Sequence, residues 1–137
     1  MTLTASILVV DDDKDVRKTL SELLETEGFM VVAAENGEQA VRAAKKQVFD
    51  VALIDIKLPD MDGLELLEKL KEEEVGYRMV KIMITGFPSL KSAIDAVNRD
   101  ADGYVFKPID AWKLLKIIRE RLEKKTNEYI RTHAPRW

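Results

Sequence analysis

The chain has no cysteine and only one histidine, His133. Without cysteine there is no disulfide scaffold and no Cys-ligated zinc or iron–sulfur centre. No apolar run approaches the ~20 residues that span a bilayer. The apolar start at Ile7–Val10 lacks a basic leader and runs into three aspartates, so a strand is expected there rather than a signal peptide. A Gly-x-Gly-x-x-Gly phosphate loop and low-complexity segments are also missing. The net charge of -3 leaves no basic field for gripping nucleic acid. What is present is 137 residues, 46% hydrophobic and 34% charged, enough for one closed core and too apolar for a disordered chain. The expectation is a cytoplasmic domain that binds neither membrane nor nucleic acid.

Charge is uneven along the chain. Arg119 to Trp137 holds six Lys/Arg against three Asp/Glu, whereas residues 1–118 hold 16 against 22. The acidic body and basic tail suit either a neutralising helix end or the start of a linker.

Five short runs rich in Val, Ile and Met recur: Ile7–Val10, Phe29–Val32, Val51–Ile54, Met79–Ile84 and Gly103–Phe106. Mostly unbroken apolar runs of this length read as strands covered on both faces, as in parallel sheets. Between them the apolar spacing turns helical: Val16, Leu20, Leu23 and Leu24; Ala40, Val41, Ala44 and Val48; Leu64, Leu67 and Leu70; Leu90, Ile94 and Val97; Ala111, Leu115, Ile118 and Leu122. Gly28 and Gly76 stand where helix C-caps belong, Asp62, Ser89 and Asp110 where N-caps belong, and Pro88 and Pro108 in strand-to-helix connections. Five βα units imply a doubly wound α/β fold of the flavodoxin-like kind, with a five-stranded parallel sheet of order 2-1-3-4-5 and five helices. All strand carboxyl ends then share one edge, where ligands bind.

That edge would carry Asp11, Asp12 and Asp13 after strand one, Asp55 after strand three, Thr85 after strand four and Lys107 after strand five. Asp13 or Asp15 can cap the first helix, which leaves Asp11 and Asp12 beside Asp55 unexplained. Two carboxylates ~5 Å apart repel by ~3 kcal/mol at an effective dielectric of ~20. Either this is a generic acidic edge or something compensates it. A divalent cation is the simplest compensation, and an all-oxygen donor set favours Mg²⁺ or Mn²⁺ over zinc. With Lys107 and Thr85 opposite, the group would suit a transferring phosphoryl, Asp55 acting as nucleophile.

Four segments then carry a resemblance over residues 6 to about 123: Ile7-Leu-Val-Val-Asp-Asp-Asp13, Ala52-Leu-Ile-Asp-Ile-Lys-Leu-Pro-Asp-Met-Asp-Gly63, Ile82-Met-Ile-Thr-Gly86 and Gly103-Tyr-Val-Phe-Lys-Pro108. In this order and spacing they resemble a two-component response-regulator receiver domain. The resemblance implies that Asp55 accepts a phosphoryl group from a sensor histidine kinase or phosphotransfer protein. It implies that Asp12 binds Mg²⁺ directly and Asp11 through water, with Asp55 and the Lys57 backbone carbonyl also at the metal. Lys107 and Thr85 would hold the phosphoryl group, and Tyr104 would turn inward as Thr85 moves. A cis Lys107–Pro108 bond is implied too. So is output through the face of helix 4, strand 5 and helix 5, toward an output domain, a partner or a second copy. Such a chain catalyses only its own phosphorylation and slow dephosphorylation and is not otherwise an enzyme.

Residues 1–123 are expected to form the receiver and 124–137 to extend the last helix. That helix, running from Ala111 to about Ile130, would dimerise, lead to an output domain absent from this chain, or end as a polar fray. Lys57 and Phe87 either shield the acyl phosphate from water or face solvent. His133 is a weak candidate for a relay, Asp60 and Asp62 shape the loop before the third helix, and Met61 packs there partly exposed. Competing classes fit less well. A receiver-like interaction domain that works without phosphorylation would be expected to lack part of the acidic, lysine or threonine set. A dehalogenase-type phosphatase would want a second Asp at position 57. A flavin binder would want a Ser/Thr/Gly-rich loop in place of Asp11–Asp13. DNA binding would want a helix-turn-helix after the fifth helix.

Overall fold

A computed structural model describes residues 4–73, 79–86 and 89–135. Strands and helices alternate: β1 (Ser6–Val10), α1 (Lys14–Thr26), β2 (Met30–Ala34), α2 (Gly37–Lys46), β3 (Val51–Asp55), α3 (Gly63–Glu72), β4 (Val80–Thr85), α4 (Leu90–Asn98), β5 (Gly103–Phe106) and α5 (Ala111–His133). The strands form one parallel sheet in the expected order, β2-β1-β3-β4-β5. Strand side chains alternate between faces, and both faces of the central strands β1, β3 and β4 are covered, which is why those runs are mostly apolar. Leu8, Val10, Ala52, Ile54 and Met83 meet Ala40 of α2, Leu66, Leu67 and Leu70 of α3 and Ala96 of α4. On the other face Ile7, Val9, Val51, Leu53, Ile82 and Ile84 meet Leu20 and Leu24 of α1 and Leu114, Leu115 and Ile118 of α5. Burying each such side chain stabilises the fold by ~1.5–3 kcal/mol.

Helix starts follow the cap chemistry. Asp13 accepts the Asp15 and Val16 amides before α1, Asp62 the Leu64 amide before α3, and Asp110 the Lys113 amide before α5. Ser89 directly precedes α4, its carbonyl accepting the Ala93 amide. Asn36, which the sequence reading passed over, caps α2 by accepting from Gln39. Gly28 closes α1 at φ 94°, a conformation that side chains resist. Gly76 and Pro88 lie outside the described residues.

Three expectations shift. β2 starts at Met30 rather than Phe29, because the Phe29 amide completes the α1 cap by bonding to the Leu24 carbonyl. Pairing with β1 then carries the strand on to Ala34. Val48 does not join the α2 stripe: the helix stops at Lys46, Val48 is exposed, and Phe49 enters the core instead. On α4 the small Ala96 faces inward and Ile94 is half exposed.

α5 runs three residues past the expected Ile130. Its fourth turn is held to the body by charge. Lys125, only 9% exposed, pairs with Asp102 Oδ1 at 3.0 Å, and Asp102 Oδ2 accepts the amide of fully buried Lys81 at 2.8 Å. Among the described residues no helix is long and apolar enough to cross a membrane.

Gly63 is fixed by crowding. A Cβ there would lie 2.3 Å from the Asp55 carbonyl oxygen and 2.7 Å from Ile56 Cα, both backbone atoms that cannot swing aside. Gly63→Ala is therefore expected to cost about 2–3 kcal/mol in urea unfolding, as overpacking does. An unchanged midpoint would show that the turn after β3 has more room than this geometry allows.

Candidate functional site

The sheet order sets β1 and β3 side by side, so Asp11, just beyond β1, stands next to Asp55, the last residue of β3. Oxygens of Asp11, Asp12 and Asp55 lie within 4.8 Å of one another. Asp11 and Asp55 are buried and Asp12 is exposed at the mouth. Lys107, following β5, reaches across β4 to both buried acids. Its Nζ is 2.9 Å from Asp11 Oδ2 and 3.0 Å from Asp55 Oδ2. The other oxygens take backbone amides: Asp13 N–H donates to Asp11 Oδ1 at 2.9 Å, and Lys57 N–H to Asp55 Oδ1 at 3.0 Å. Thr85, 2% exposed, ends β4 between them, and its carbonyl accepts the Lys107 amide at 2.7 Å. The Lys107–Pro108 bond is cis.

Three carboxylates face one ammonium, so about two negative charges are left over. Burial first, and then the Asp55 charge, push the Asp11 carboxyl above its ordinary value, against the pull of the Asp13 amide and Lys107. Burial works against the Lys107 charge, but hydrogen bonds and charge from Asp11 and Asp55 outweigh it and raise its pKa. Asp11 Oδ2 is buried, and the ammonium it meets at 2.9 Å is shared with Asp55 Oδ2. An all-oxygen group of three carboxylates sharing one ammonium, with negative charge in excess, fits a hard divalent cation. It does not fit zinc, which prefers nitrogen and sulfur donors.

The fold thus brings together Asp11, Asp12, Asp55, Thr85 and Lys107, residues drawn from four strand ends. Tyr104, on β5, is half-buried, with its ring edge-on to exposed Phe106 at 5.3 Å between centroids. Lys57 is exposed beside the site, and Phe87, its expected partner in shielding, lies outside the described residues. His133 is far along α5, stacked on Tyr129.

Arg17 escaped the sequence reading, and so did the partner of Asp60, which was expected only to shape its own loop. Arg17, half-buried on α1, donates from Nη1 to the Asp11 carbonyl at 2.8 Å and stands 3.6 Å from Glu35. A cation one turn into a helix after an acidic run was the available signal. Asp60 turns away from its own loop: its two carboxylate oxygens accept the Gly37 and Glu38 amides, each at 2.9 Å. Nothing near Asp60 in sequence announces a partner 23 residues back.

A five-stranded parallel sheet in this order with a buried acidic edge defines a doubly wound α/β domain, and comparison with known proteins gives its family. The family model described as the response regulator receiver domain matches residues 7–119, and the chain belongs to that family. It is 36% identical over 117 residues to the chemotaxis protein CheY of Bacillus subtilis, covering 85% of this chain and 96% of that one. It is 34% identical over 123 residues to the regulatory protein AtoC of Escherichia coli, covering 90% of this chain and 26% of AtoC, so it spans about a quarter of that relative. The receiver domain protein (CheY-like) of Methanospirillum hungatei superposes with a TM-score of 0.86 at 39% identity, covering 92% of this chain and 99% of that one. A response regulator of Burkholderia pseudomallei, solved with a phosphorylated aspartic acid, a calcium ion and citrate, superposes at 0.79 and 26% identity, over 94% of this chain and 75% of that one. Receivers are signalling domains of two-component systems rather than metabolic enzymes.

The raised Asp11 pKa has a signed consequence. The folded state holds this proton more tightly than the unfolded chain, so stability falls as pH rises through the Asp11 titration, and the penalty is complete above it. Asp11→Asn is expected to stabilise the metal-free protein at neutral pH by on the order of 1 kcal/mol. The advantage should shrink as the buffer is taken down toward the carboxylate range. Urea unfolding in chelator at neutral and acid pH checks this, and a variant less stable than wild type at neutral pH contradicts it.

Proposed function

We propose that this chain receives a phosphoryl group on Asp55 from a sensor histidine kinase or phosphotransfer protein and signals through the surface of α4, β5 and α5. The observation that carries the reading is the Lys107 ammonium 3.0 Å from Asp55 Oδ2 with Asp11 and Asp12 in the same cluster. One carboxylate thereby sits beside an amine able to pair with an anion and two acids able to hold a cation. Mg²⁺, or Mn²⁺ in its place, would be held by Asp11, Asp12, Asp55 and the Lys57 carbonyl. When bound it supplies charge for the peripheral oxygens of the transferring group.

The chain's own residues do the rest. In transfer, the N–P bond of a phosphohistidine breaks as an Asp55 Oδ–P bond forms. Lys107 neutralises the incoming charge, and Thr85 presents its hydroxyl from the end of β4. A donor has to lie against the carboxyl edge. A mostly apolar groove of about 400 Å³, lined by Val16, Leu20, Leu23, Pro108 and Ile109, borders Lys107 there and suits a partner helix. The Burkholderia regulator with its phosphorylated aspartic acid supports the same chemistry here.

Phosphorylation adds about -1.5 to -2 charges. Thr85 and Lys107 are drawn to it, and Tyr104 takes the space that Thr85 leaves. The change is thereby read two strands away, beside exposed Phe106 and Ile94. A receiver that works without phosphorylation is the alternative, and the complete set of three acids, threonine and lysine weighs against it. The receiver unit is taken as residues 1–123, with the extension from 124 starting at a turn whose Lys125 is paired with Asp102. The remaining turns of α5, with Tyr129 and Ile130 exposed, lead toward an output domain or a second copy. The setting is the cytoplasm.

Incubation with acetyl phosphate and Mg²⁺, read by intact mass, tests the assignment. Wild type should gain one phosphoryl group and Asp55→Asn none. An adduct on both would remove Asp55 from the role, and chelator should abolish the adduct on wild type.

A further inference from the structure

The loop after β3 is closed on itself and then tied to a different helix. Ile56 N–H donates to the Ile84 carbonyl, Gly63 N–H to the Ile56 carbonyl at 2.7 Å, and Lys57 and Asp62 form an antiparallel bridge. Leu58 to Met61 therefore project as a short hairpin. Its tip is seated on the first turn of α2 by two contacts. The Asp60 carboxylate accepts the amides of Gly37 and Glu38. Met61 packs so closely on Gly37 that a Cβ there would lie 2.3 Å from the Met61 sulfur.

The α2 start does not depend on Asp60 alone. Asn36 accepts the Gln39 amide at 2.8 Å, and the Gln39 side-chain oxygen accepts the Glu35 amide at 2.9 Å. A helix already capped by its own residues is thus also gripped by a residue of the phosphoacceptor loop. The Gly37 amide above all holds the Asp60 carboxyl below its usual range, so Asp60 stays ionised and attached to the amides at neutral pH.

We infer that Asp60 is a positioning residue for the metal: by clamping the loop tip to α2 it holds the Lys57 carbonyl in place beside Asp55. This rests on the reading that Asp11, Asp12, Asp55 and Lys57 bind Mg²⁺. Lys57 is held by its N–H bond to Asp55 Oδ1 and by its bridge to Asp62, and the clamp removes the remaining freedom of the hairpin tip that follows it. Outer groups that orient metal ligands typically change affinity by 10–100-fold. A clamp acting through three residues of backbone belongs at the low end of that range.

Mg²⁺ titration calorimetry on the full chain tests this. Asp60→Ala should bind Mg²⁺ about tenfold more weakly. Asn36→Ala, which removes a cap of the same helix without releasing the loop, should bind as wild type. Asp60→Asn keeps one acceptor oxygen and should fall between wild type and Asp60→Ala. In parallel, phosphorylation by acetyl phosphate should need more Mg²⁺ for half its maximal rate in Asp60→Ala yet reach the wild-type plateau. Wild-type affinity in Asp60→Ala overturns the inference. So does equal weakening in Asn36→Ala, which would make helix stability the cause, or equal weakening in Asp60→Asn and Asp60→Ala, which would make charge the cause. If Asp60→Ala does not fold, Asp60→Asn carries the test, and unchanged binding there overturns it. Failure of wild type itself to bind Mg²⁺ would instead remove the metal reading, and this inference with it.

Discussion

The contact of Lys107 with Asp11 and Asp55 governs this molecule. Two buried carboxylates at the same sheet edge would repel each other by a few kcal/mol in a medium of reduced dielectric, and a single ammonium 2.9 and 3.0 Å away offsets part of that. With Asp12 at the mouth, the compensation stays incomplete. An added cation would therefore be favoured at this edge. Stability and responsiveness have the same origin here: a full complement of positive charge would give a firmer edge with nothing to answer to.

The parallel sheet is what makes the arrangement possible. Every strand delivers its last residue to one side, so Asp11, Asp55, Thr85 and Lys107 converge without any local sequence relation among them. The two apolar faces fix how far each strand advances, because a one-residue slip would turn Leu8 and Val10 to the face now occupied by Ile7 and Val9. Arg17 from α1 then holds the Asp11 carbonyl, and Asp60 ties the β3–α3 loop to the start of α2. Behind them, the pairing of Lys125 with Asp102 commits α5 to the body for longer than its apolar stripe alone requires.

Much of this could be read before any coordinates. The runs at Ile7–Val10 and Val51–Ile54 have the unbroken apolar character of strands covered on both faces, and both are buried. The caps at Asp13, Asp62 and Asp110 are written in the residue beside the helix they start. Edges were harder. At β2 the start moved because Phe29 was needed by the α1 cap, and a periodic pattern does not record which of two neighbours claims an amide. Val48 and Phe49 compete for the same inward direction, and the helix end at Lys46 decides between them. On α4, the apolar Ile94 was assigned to the core, while the close fit there takes the small Ala96.

Left to itself, the amino-acid order determined the alternation of strand and helix, the sheet they must build, and which acids, hydroxyl and amine stand at the strand ends. Each of those follows from side-chain period and cap chemistry, which act between residues a few positions apart. Packing alone decided that Asp60 would seek amides 22 and 23 residues away, that Arg17 would support the Asp11 carbonyl, and that Lys125 would be buried against Asp102. A charged side chain carries no mark of its distant partner. It finds one only when the layers have closed and the unsatisfied amides and carboxylates left at their margins come within reach of one another.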